Sequence, residues 1–356
     1  MSQLDVAAPA AQVARARTAA RRRSIVVGAV LAVLVTALFL LSLSLGHTIV
    51  PPADVVAALL GTDTSRTAFT VVELRAPRAF TALGVGLCFG VSGAVLQALA
   101  RNPLASPDVV GITAGASTGA VAVIVATSAG TGALTSSMVS TPLAALAGGG
   151  VSGLVVYRLA RARGVVTPYR LVLVGIGVSA VLTSLTSWLV TRASIDDAQK
   201  AAVWLAGSLG ARTWDDAVPA VGAACLVLPA AAVLARRLRV LQLGEQTALA
   251  LGVDVRRTRR ALVAVSVTGA AVATAAAGPI AFVAFVAAPL ARRIVGSTLT
   301  VVPAALVGAA LVLAADLVGR TAFGAVQLPV GIVTGVIGAP YLMWLLSRPQ
   351  RIGQGE

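Results

Sequence analysis

The side chains that could carry bond chemistry are few in this chain and lie far apart. It has a single histidine, His47, and two cysteines, Cys88 and Cys225, each inside an apolar stretch. Two cysteines inside apolar runs predict neither a disulfide framework nor a metal site, and a single histidine excludes a histidine-rich metal site. The only lysine, Lys200, follows Gln199, so the sequence has no glycine-rich loop ending in Gly-Lys-Ser/Thr to cradle nucleotide phosphates. We therefore expect no catalytic residue, no metal and no cofactor in this chain, and no enzyme activity of its own.

One acidic residue, Asp316, lies near the interior of an apolar stretch. Carboxylates within a membrane are costly and often functional, so a proton relay is one interpretation. The other is structural, because Arg320 lies four residues further on, the spacing of an ion pair on one helix face. We favour the structural interpretation, since a relay would need a second carboxylate or a histidine inside a span. The sequence alone leaves both open.

The elements that carry these residues belong in a membrane. Hydrophobic residues make up 58% of the 356 residues and charged residues only 12%, about half of the charged share in soluble domains. This composition excludes a soluble enzyme, a disordered chain and a fibrous protein. The 35 glycines favour closely packed helices over a β-barrel. We interpret the net charge of +15 as a marker of membrane topology and expect no binding of nucleic acid.

Stretches without Asp, Glu, Lys or Arg predict ten membrane-spanning helices at about 20 residues each. They lie within residues 24–53, 79–100, 109–157 (two spans), 171–191, 217–235, 261–291 (two spans), 294–315 and 321–347. We expect the eighth helix to begin at Pro279, because proline suits a first helical turn, and the tenth to begin near Pro329.

The basic residues predict the orientation of these spans. Most of the 28 lysines and arginines fall on the side that holds both termini, as the positive-inside rule requires. We therefore predict an all-α, multi-pass protein of the cell membrane with both termini in the cytoplasm. Residues 24–348 would form the ten-helix domain, between cytoplasmic tails at 1–23 and 349–356.

The longest predicted cytoplasmic loop, about residues 241–257, is the most informative. Its pattern predicts two short amphipathic helices broken at Gly252. A mere connector would be shorter, because helix–helix connections in bundles run about 2–8 residues. The insertion therefore favours docking of a soluble partner, although helices lying on the membrane surface would look similar.

Four groups of residues between about 73 and 345 match known signature segments in order. They are Arg75-Ala76-Pro77-Arg78; Ser92–Gln97 with Arg101–Asp108; Leu243-Gly244-Glu245 through Leu251-Gly252-Val253; and Gly278–Val283 with Leu328–Thr334 and Gly338-Ala339-Pro340. Together they resemble the FecCD family, the permease subunits of ABC importers for iron–siderophore complexes, haem and vitamin B12. One departure is Ala288-Pro289-Leu290, where many members read Val-Pro-His. This change tilts the expected substrate towards a ferric siderophore.

The resemblance implies a type II ABC importer. Two permease subunits, identical or paralogous, would work in the lipid bilayer with two ABC ATPase subunits that bind ATP and Mg²⁺. An extracytoplasmic substrate-binding (lipo)protein would deliver the ferric siderophore. Import of vitamin B12 or haem by the same mechanism is one alternative, and an ion-coupled secondary transporter of a small polar solute is another.

The resemblance also assigns three sets of site residues. The set expected to couple to the ATPase is Leu243, Gly244, Glu245, Leu249, Leu251, Gly252, Val253, Arg256 and Arg257. The set expected at the cytoplasmic gate, which could also be ordinary proline turns, is Asn102, Pro103, Leu104, Thr167, Pro168 and Tyr169. The set expected to meet acidic residues of the binding protein on the outer face is Arg75, Arg78 and Arg320. Snorkelling of these three arginines to lipid phosphates is the alternative.

Overall fold

The computed structural model describes residues 7–46, 48–62, 65–128, 137–162, 165–296, 300–324 and 326–347. His47 and the predicted tail at 349–356 lie outside these ranges. The helices are α1 (Ala7–Ser44), α2 (Pro52–Leu59), α3 (Arg66–Phe69), α4 (Ala76–Ala100), α5 (Ile112–Ser128), α6 (Ser137–Leu159), α7 (Pro168–Arg192), α8 (Ile195–Leu205), α9 (Trp214–Gln242), α10 (Glu245–Ala250), α11 (Val255–Ala277), α12 (Val283–Val295), α13 (Val301–Thr321) and α14 (Val330–Ser347). A π-helical turn, Thr70–Arg75, joins α3 to α4, and a two-residue hairpin of β1 (Arg161–Ala162) and β2 (Val165–Val166) precedes α7.

Ten of these helices follow the predicted spans in order, and the all-α multi-pass prediction is confirmed. Among the described residues, seven helices are long and apolar enough to cross a membrane: α1, α4 with its preceding turn, α6, α7, α9, α11 and α13. The apolar helices α5 and α14 are shorter, and α12 has only 13 residues. Helix α1 begins at Ala7, inside the segment predicted as a polar tail.

Two predicted helix boundaries are wrong. The ninth span was expected at 294–315, but α13 runs from Val301 to Thr321 and includes charged residues whose partners lie inside the subunit. The eighth helix was expected to begin at Pro279, but α12 begins at Val283. A turn with positive φ at Gly278 (75°) and Phe282 (66°) comes between α11 and α12.

The loop that follows α8 stabilises this break between α11 and α12. The backbone N–H of Ser208 donates to the carbonyl of Ala277 at 2.9 Å, and the N–H of Gly331 donates to the carbonyl of Gly207 at 3.0 Å. Backbone groups away from water need such partners wherever a helix stops. The break therefore depends on a segment about 70 residues earlier in the chain, which a local pattern cannot reveal.

Hydrogen bonds between helix ends define two faces of the molecule. The end of α1, the beginning of α4 and the end of α13 meet at one face, which also carries α8 and is termed the α8 face. The ends of α4 and α9 meet at the opposite face, termed the α10 face, which carries the short helix α10.

Helix α4 lies at the centre of the bundle, packed between α9, α11, α12 and α13. Its glycines allow close approach of neighbouring backbones. A Cβ atom added at Gly86 would lie 2.5 Å from the Cα of Ala309, and one added at Gly93 would collide with the carbonyl oxygen of Ala284. These contacts seat α13 and α12 directly against α4.

Gly93→Ala is therefore expected to destabilise the subunit, because the added methyl group must displace the α12 backbone. Overpacking of this kind costs about 1–3 kcal/mol. Gly28→Ala on α1 is the matched control, since nothing lies within 4 Å of the corresponding Cβ position. Thermal unfolding in detergent, followed by size-exclusion chromatography, should show a lower midpoint for Gly93→Ala alone. Equal midpoints for the two variants would contradict the packing described for α4.

Candidate coupling and gate sites

The predicted coupling segment forms a single short helix between two glycine turns. Gly244 (φ 115°) turns the chain after α9, and Gly252 (φ 75°) turns it again after α10. The predicted break at Gly252 is confirmed, but the predicted second short helix is wrong. The side chain of Asp254 accepts the N–H of Arg257 at 2.9 Å and caps α11, so residues 255–257 form the first turn of that long helix.

Helix α10 presents apolar side chains to the outside. Leu243, Leu249 and Leu251 are 66%, 62% and 61% exposed, whereas Ala248 is buried against the body of the subunit. Arg256 and Arg257 are exposed beside them. Three exposed leucines on one protruding element are typical of a protein-binding surface. The arrangement fits a docking helix, which is the role the sequence predicted.

One polar contact ties α10 to α11, and another ties the end of α4 to the end of α9, which α10 follows in the chain. Glu245 forms an ion pair with Arg259 of α11, whose side chain is only 12% exposed. Arg101, at the end of α4, donates to the carbonyl of Leu241 near the end of α9 at 2.7 Å. A displacement of α10 would therefore pull on α11 and α9, and through Arg101 on the end of α4.

The predicted gate turn follows α4 directly. Arg101 adopts a left-handed conformation (φ 51°) that ends α4. The side-chain oxygen of Asn102 then accepts the N–H of Leu104 at 2.8 Å, which closes a tight turn around Pro103. The second gate segment begins α7 at Pro168, with Thr167 preceding the helix.

A cavity of about 510 Å³ on the α10 face joins the predicted gate and coupling residues. It is lined by Asn102, Thr167 and Tyr169 of the gate set and by Gly244 and Glu245 of the coupling set. Among the described residues, Pro103 and Leu104 of the gate set do not line it. The structure thus brings together residues of two sets that the sequence assigned separately, and it places the beginning of α10 at the edge of this cavity.

Asp108, in the loop after the gate turn, has an unusual carboxyl group. Burial raises the pKa of Asp108 from 3.8 to about 6, and a hydrogen bond with the Thr113 side chain opposes this rise. Burial disfavours the charged form of a carboxyl group, so the folded loop binds a proton more tightly than the unfolded chain does.

We expect Asp108→Asn to raise the thermal midpoint of the subunit by a few degrees at pH 8. The folded-state pKa is raised, so the stability of the wild type falls as the pH rises from about 4 to about 6 and stays low above that range. The advantage of the variant should disappear near pH 4. Thr113→Val removes the hydrogen bond that lowers the pKa of Asp108, so the loss of wild-type stability should occur at a higher pH. If Asp108→Asn raises the thermal midpoint equally at all pH values, the raised pKa of Asp108 is contradicted.

On the α8 face, Asp316 lies at the centre of an ion-pair cluster. Its carboxylate is fully buried and lies 2.8 Å from Nη2 of Arg78 and 3.5 Å from Nε of Arg320. The predicted pairing with Arg320 is confirmed, but Arg78 is the closer partner. Sequence reasoning missed this contact because the two residues are 238 positions apart.

Two of the three predicted docking arginines cap the end of α1. Arg75 donates to the carbonyls of Leu43 and Ser44, both at 2.8 Å, and Arg320 donates to the carbonyl of Ser42 at 2.6 Å. The last carbonyls of a helix lack partners within it, and guanidinium groups supply them.

The guanidinium groups of Arg75 and Arg320 are therefore buried inside the subunit, whereas the sequence suggested an exposed patch. Arg78 is the most accessible of the three, with 15% of its side chain exposed. It also donates to Gln327 at 3.3 Å. A role of the set in docking stays a prediction.

Helix α7 exposes small and hydroxyl residues along one face. Gly177, Ala180, Ser184, Ser187 and Thr191 are all exposed and recur every three or four residues. The hydroxyl groups of the last three donate to backbone carbonyls one turn earlier, so they are satisfied without a second helix. The same spacing is visible in the sequence, but the exposure of this face is evident only from the structure.

These features define a multi-pass helical membrane protein in which the short helix α10 borders a cavity lined by the predicted gate residues. The FecCD transport family matches residues 25–348, and the chain belongs to that family.

The relatives of the chain span most of its length. The ferric enterobactin transport system permease of Escherichia coli K12 is 43% identical over 84% of this chain and 88% of its own. A probable siderophore transport system permease of Bacillus subtilis 168 is 39% identical over 93% and 97%, respectively. The cobalamin import system permease of Halobacterium salinarum is 38% identical over 82% and 77%.

The fold also matches a solved structure. An inward-facing metal-chelate type ABC transporter superposes with a TM-score of 0.76 at 26% identity, over 89% of this chain and 97% of the other. The fold of the chain therefore agrees with the family assignment made from its sequence.

Proposed function

We propose that this chain is the permease subunit of an ATP-driven importer that moves a ferric siderophore across the cell membrane. The observation that carries the proposal is the cavity shared by the gate residues and the docking helix α10. The substrate is supported by the similar permeases for ferric enterobactin and for a siderophore.

The α10 face lies in the cytoplasm in this proposal, and both termini are on that side. The exposed arginines Arg21–Arg23 of α1 and those near the α10-face ends of α9 and α11 support the assignment, because basic residues concentrate on the cytoplasmic side of membrane proteins. The α8 face would then meet the substrate-binding protein, with Arg78 as the most accessible of the docking arginines.

Two separate ATPase subunits would supply the energy. Their closure would displace α10 through Leu249 and Leu251. The contacts of Glu245 with Arg259 and of Arg101 with Leu241 would pass the movement to α11, α9 and the gate turn. This is alternating access by movement of rigid elements, with no bond chemistry in the permease.

The exposed small and hydroxyl face of α7 would line the pathway opposite a second permease subunit. A siderophore carries its iron fully chelated, so the pathway needs width and weak polarity rather than metal ligands. The five residues of this face supply both properties, because they have short side chains and hydroxyl groups already bonded to their own helix.

The ion-coupled alternative is less well supported. Asp316, the carboxylate considered for a relay, is held between two arginines, which favours a structural role.

Uptake into proteoliposomes tests the proposal directly. The permease, its ATPase and its binding protein should accumulate an iron-labelled siderophore only when ATP is supplied to the ATPase side. Labelled cobalamin and haem serve as competing substrates in the same vesicles. Uptake driven by a proton gradient without ATP would contradict the proposed class of transporter. ATP-driven uptake of cobalamin or haem alone would contradict the proposed substrate.

A further inference from the structure

Arginines of α1 and α12 lie near the α10-face end of α12, which contacts both α1 and α14. Helix α1 contributes Arg21, Arg22 and Arg23, all exposed, and α12 contributes Arg292 and Arg293. These five residues are termed the α1–α12 arginine cluster. Nothing in the coupling, gate or docking sets includes them.

Neutral groups hold three of these guanidinium groups in place. Arg23 donates to the carbonyl of Ile294 at 3.0 Å, at the end of α12. Arg292 donates to Oε1 of Gln97 at 2.9 Å. The guanidinium carbon of Arg293 lies 4.6 Å from the centre of the Trp344 ring, a cation–π contact with α14.

The positive charge of the cluster is not balanced within the described part of the chain, where none of the five arginines pairs with a carboxylate. The other arginine contacts differ in this respect. Arg259 pairs with Glu245 beside α10, and Arg78 pairs with Asp316 on the α8 face. Each guanidinium of the cluster uses only part of its five N–H groups on the contacts described, so donors are left for an anion.

The level of the cluster along the helices points to a lipid rather than a soluble partner. After Ser24, Ile25 and Val26 follow the α1 arginines and are 61% and 52% exposed. Trp344 marks the same level on α14, as tryptophan does at membrane–water boundaries. Helix α10, which the sequence assigned to the soluble ATPase, packs instead against α9 and α11.

We propose that the α1–α12 arginine cluster binds the phosphate of an anionic phospholipid. The acyl chains would lie along the exposed apolar surface of α1 that begins at Ile25. Basic pockets between the ends of membrane helices recognise such headgroups through several charge-assisted hydrogen bonds. The bound lipid would join α1 to α12 and α14 at this face. The inference does not depend on the transported substrate.

Native mass spectrometry of the detergent-purified permease, titrated with phosphatidylglycerol, tests the proposal. Arg23→Gln with Arg293→Gln should weaken phosphatidylglycerol binding about 30-fold, the change that corresponds to ~1 kcal/mol for each arginine. Arg236→Gln with Arg237→Gln, an exposed pair at the α10-face end of α9, is the matched control and should leave the affinity within about twofold of the wild type.

The charge-preserving variant Arg23→Lys with Arg293→Lys separates lipid binding from a purely structural role. It should retain most of the phosphatidylglycerol affinity, even though it loses the planar contacts with Ile294 and Trp344. Phosphatidylcholine should bind equally weakly to all variants. Equal losses in the Gln and Lys variants, equal losses in the control pair, or full displacement of the lipid by equimolar glycerol phosphate would each overturn the proposal.

Discussion

Replacing Leu249 and Leu251 by aspartate is expected to abolish most substrate-stimulated ATP hydrolysis and transport, while the permease still inserts and folds. Leu249 on α10 and Leu251 directly after it are both more than 60% exposed, so the changes cost little in the isolated subunit. In the assembled importer they would place charges in a desolvated interface. Loss of a central anchor typically costs about 2 kcal/mol or more, so we expect ATPase affinity to fall by at least about 30-fold.

The matched control for this experiment is Leu60→Asp, an equally exposed leucine on the α8 face. It should leave ATPase binding unchanged. Co-purification and ATP hydrolysis in proteoliposomes provide the two measurements. Normal co-purification and normal transport in the Leu249/Leu251 variant would show that α10 is not the main ATPase contact.

Asp316→Asn is expected to be the most damaging single change on the α8 face. It leaves Arg78 and Arg320 without their shared carboxylate, and the side chain of Arg320 is only 7% exposed. Breaking a buried ion pair by removing one partner costs about 3–5 kcal/mol, because the remaining charge stays buried. The expected result is a large fall in folded yield and thermal midpoint, since two arginines depend on this one acid.

The double variant Asp316→Asn with Arg78→Gln should lose less stability than the sum of the two single changes, because it removes both members of the closer pair. Residual transport by Asp316→Asn should still depend on ATP and show no new pH dependence. Full expression combined with loss of transport would instead identify Asp316 as a functional carboxylate.

The ten helices were predictable from stretches without charged residues, because unpaired charges are excluded from most of a membrane span. Ending each helix at the next charged residue misplaced the end of α13, where Asp316 and Arg320 lie inside the helix. Their burial is stabilised by Arg78, whose position depends on the packing of α4 against α13. Long-range pairs of this kind leave no local signal in one sequence.

The functional residues were predictable only in part. The sequence predicted the turn at Gly252, whereas it did not predict the turn at Gly244, which also has a positive φ. The meeting of Glu245 with Asn102 at one cavity was not readable, because it requires the ends of α4, α7 and α9 to lie together. The capping role of Arg75 was likewise hidden, since its partners are backbone carbonyls of α1.

Labelling of a gate residue while the ATPase closes tests the central claim that α10 drives the gate. Tyr169→Cys, in a chain whose Cys88 and Cys225 are replaced by alanine, reports on an exposed position of the gate cavity. ATP binding to the assembled importer should change its rate of maleimide labelling, and the Leu249→Asp, Leu251→Asp background should remove that change. The account is contradicted if ATP leaves the labelling rate unchanged in the intact importer. It is also contradicted if ATP changes the rate equally in the Leu249→Asp, Leu251→Asp background.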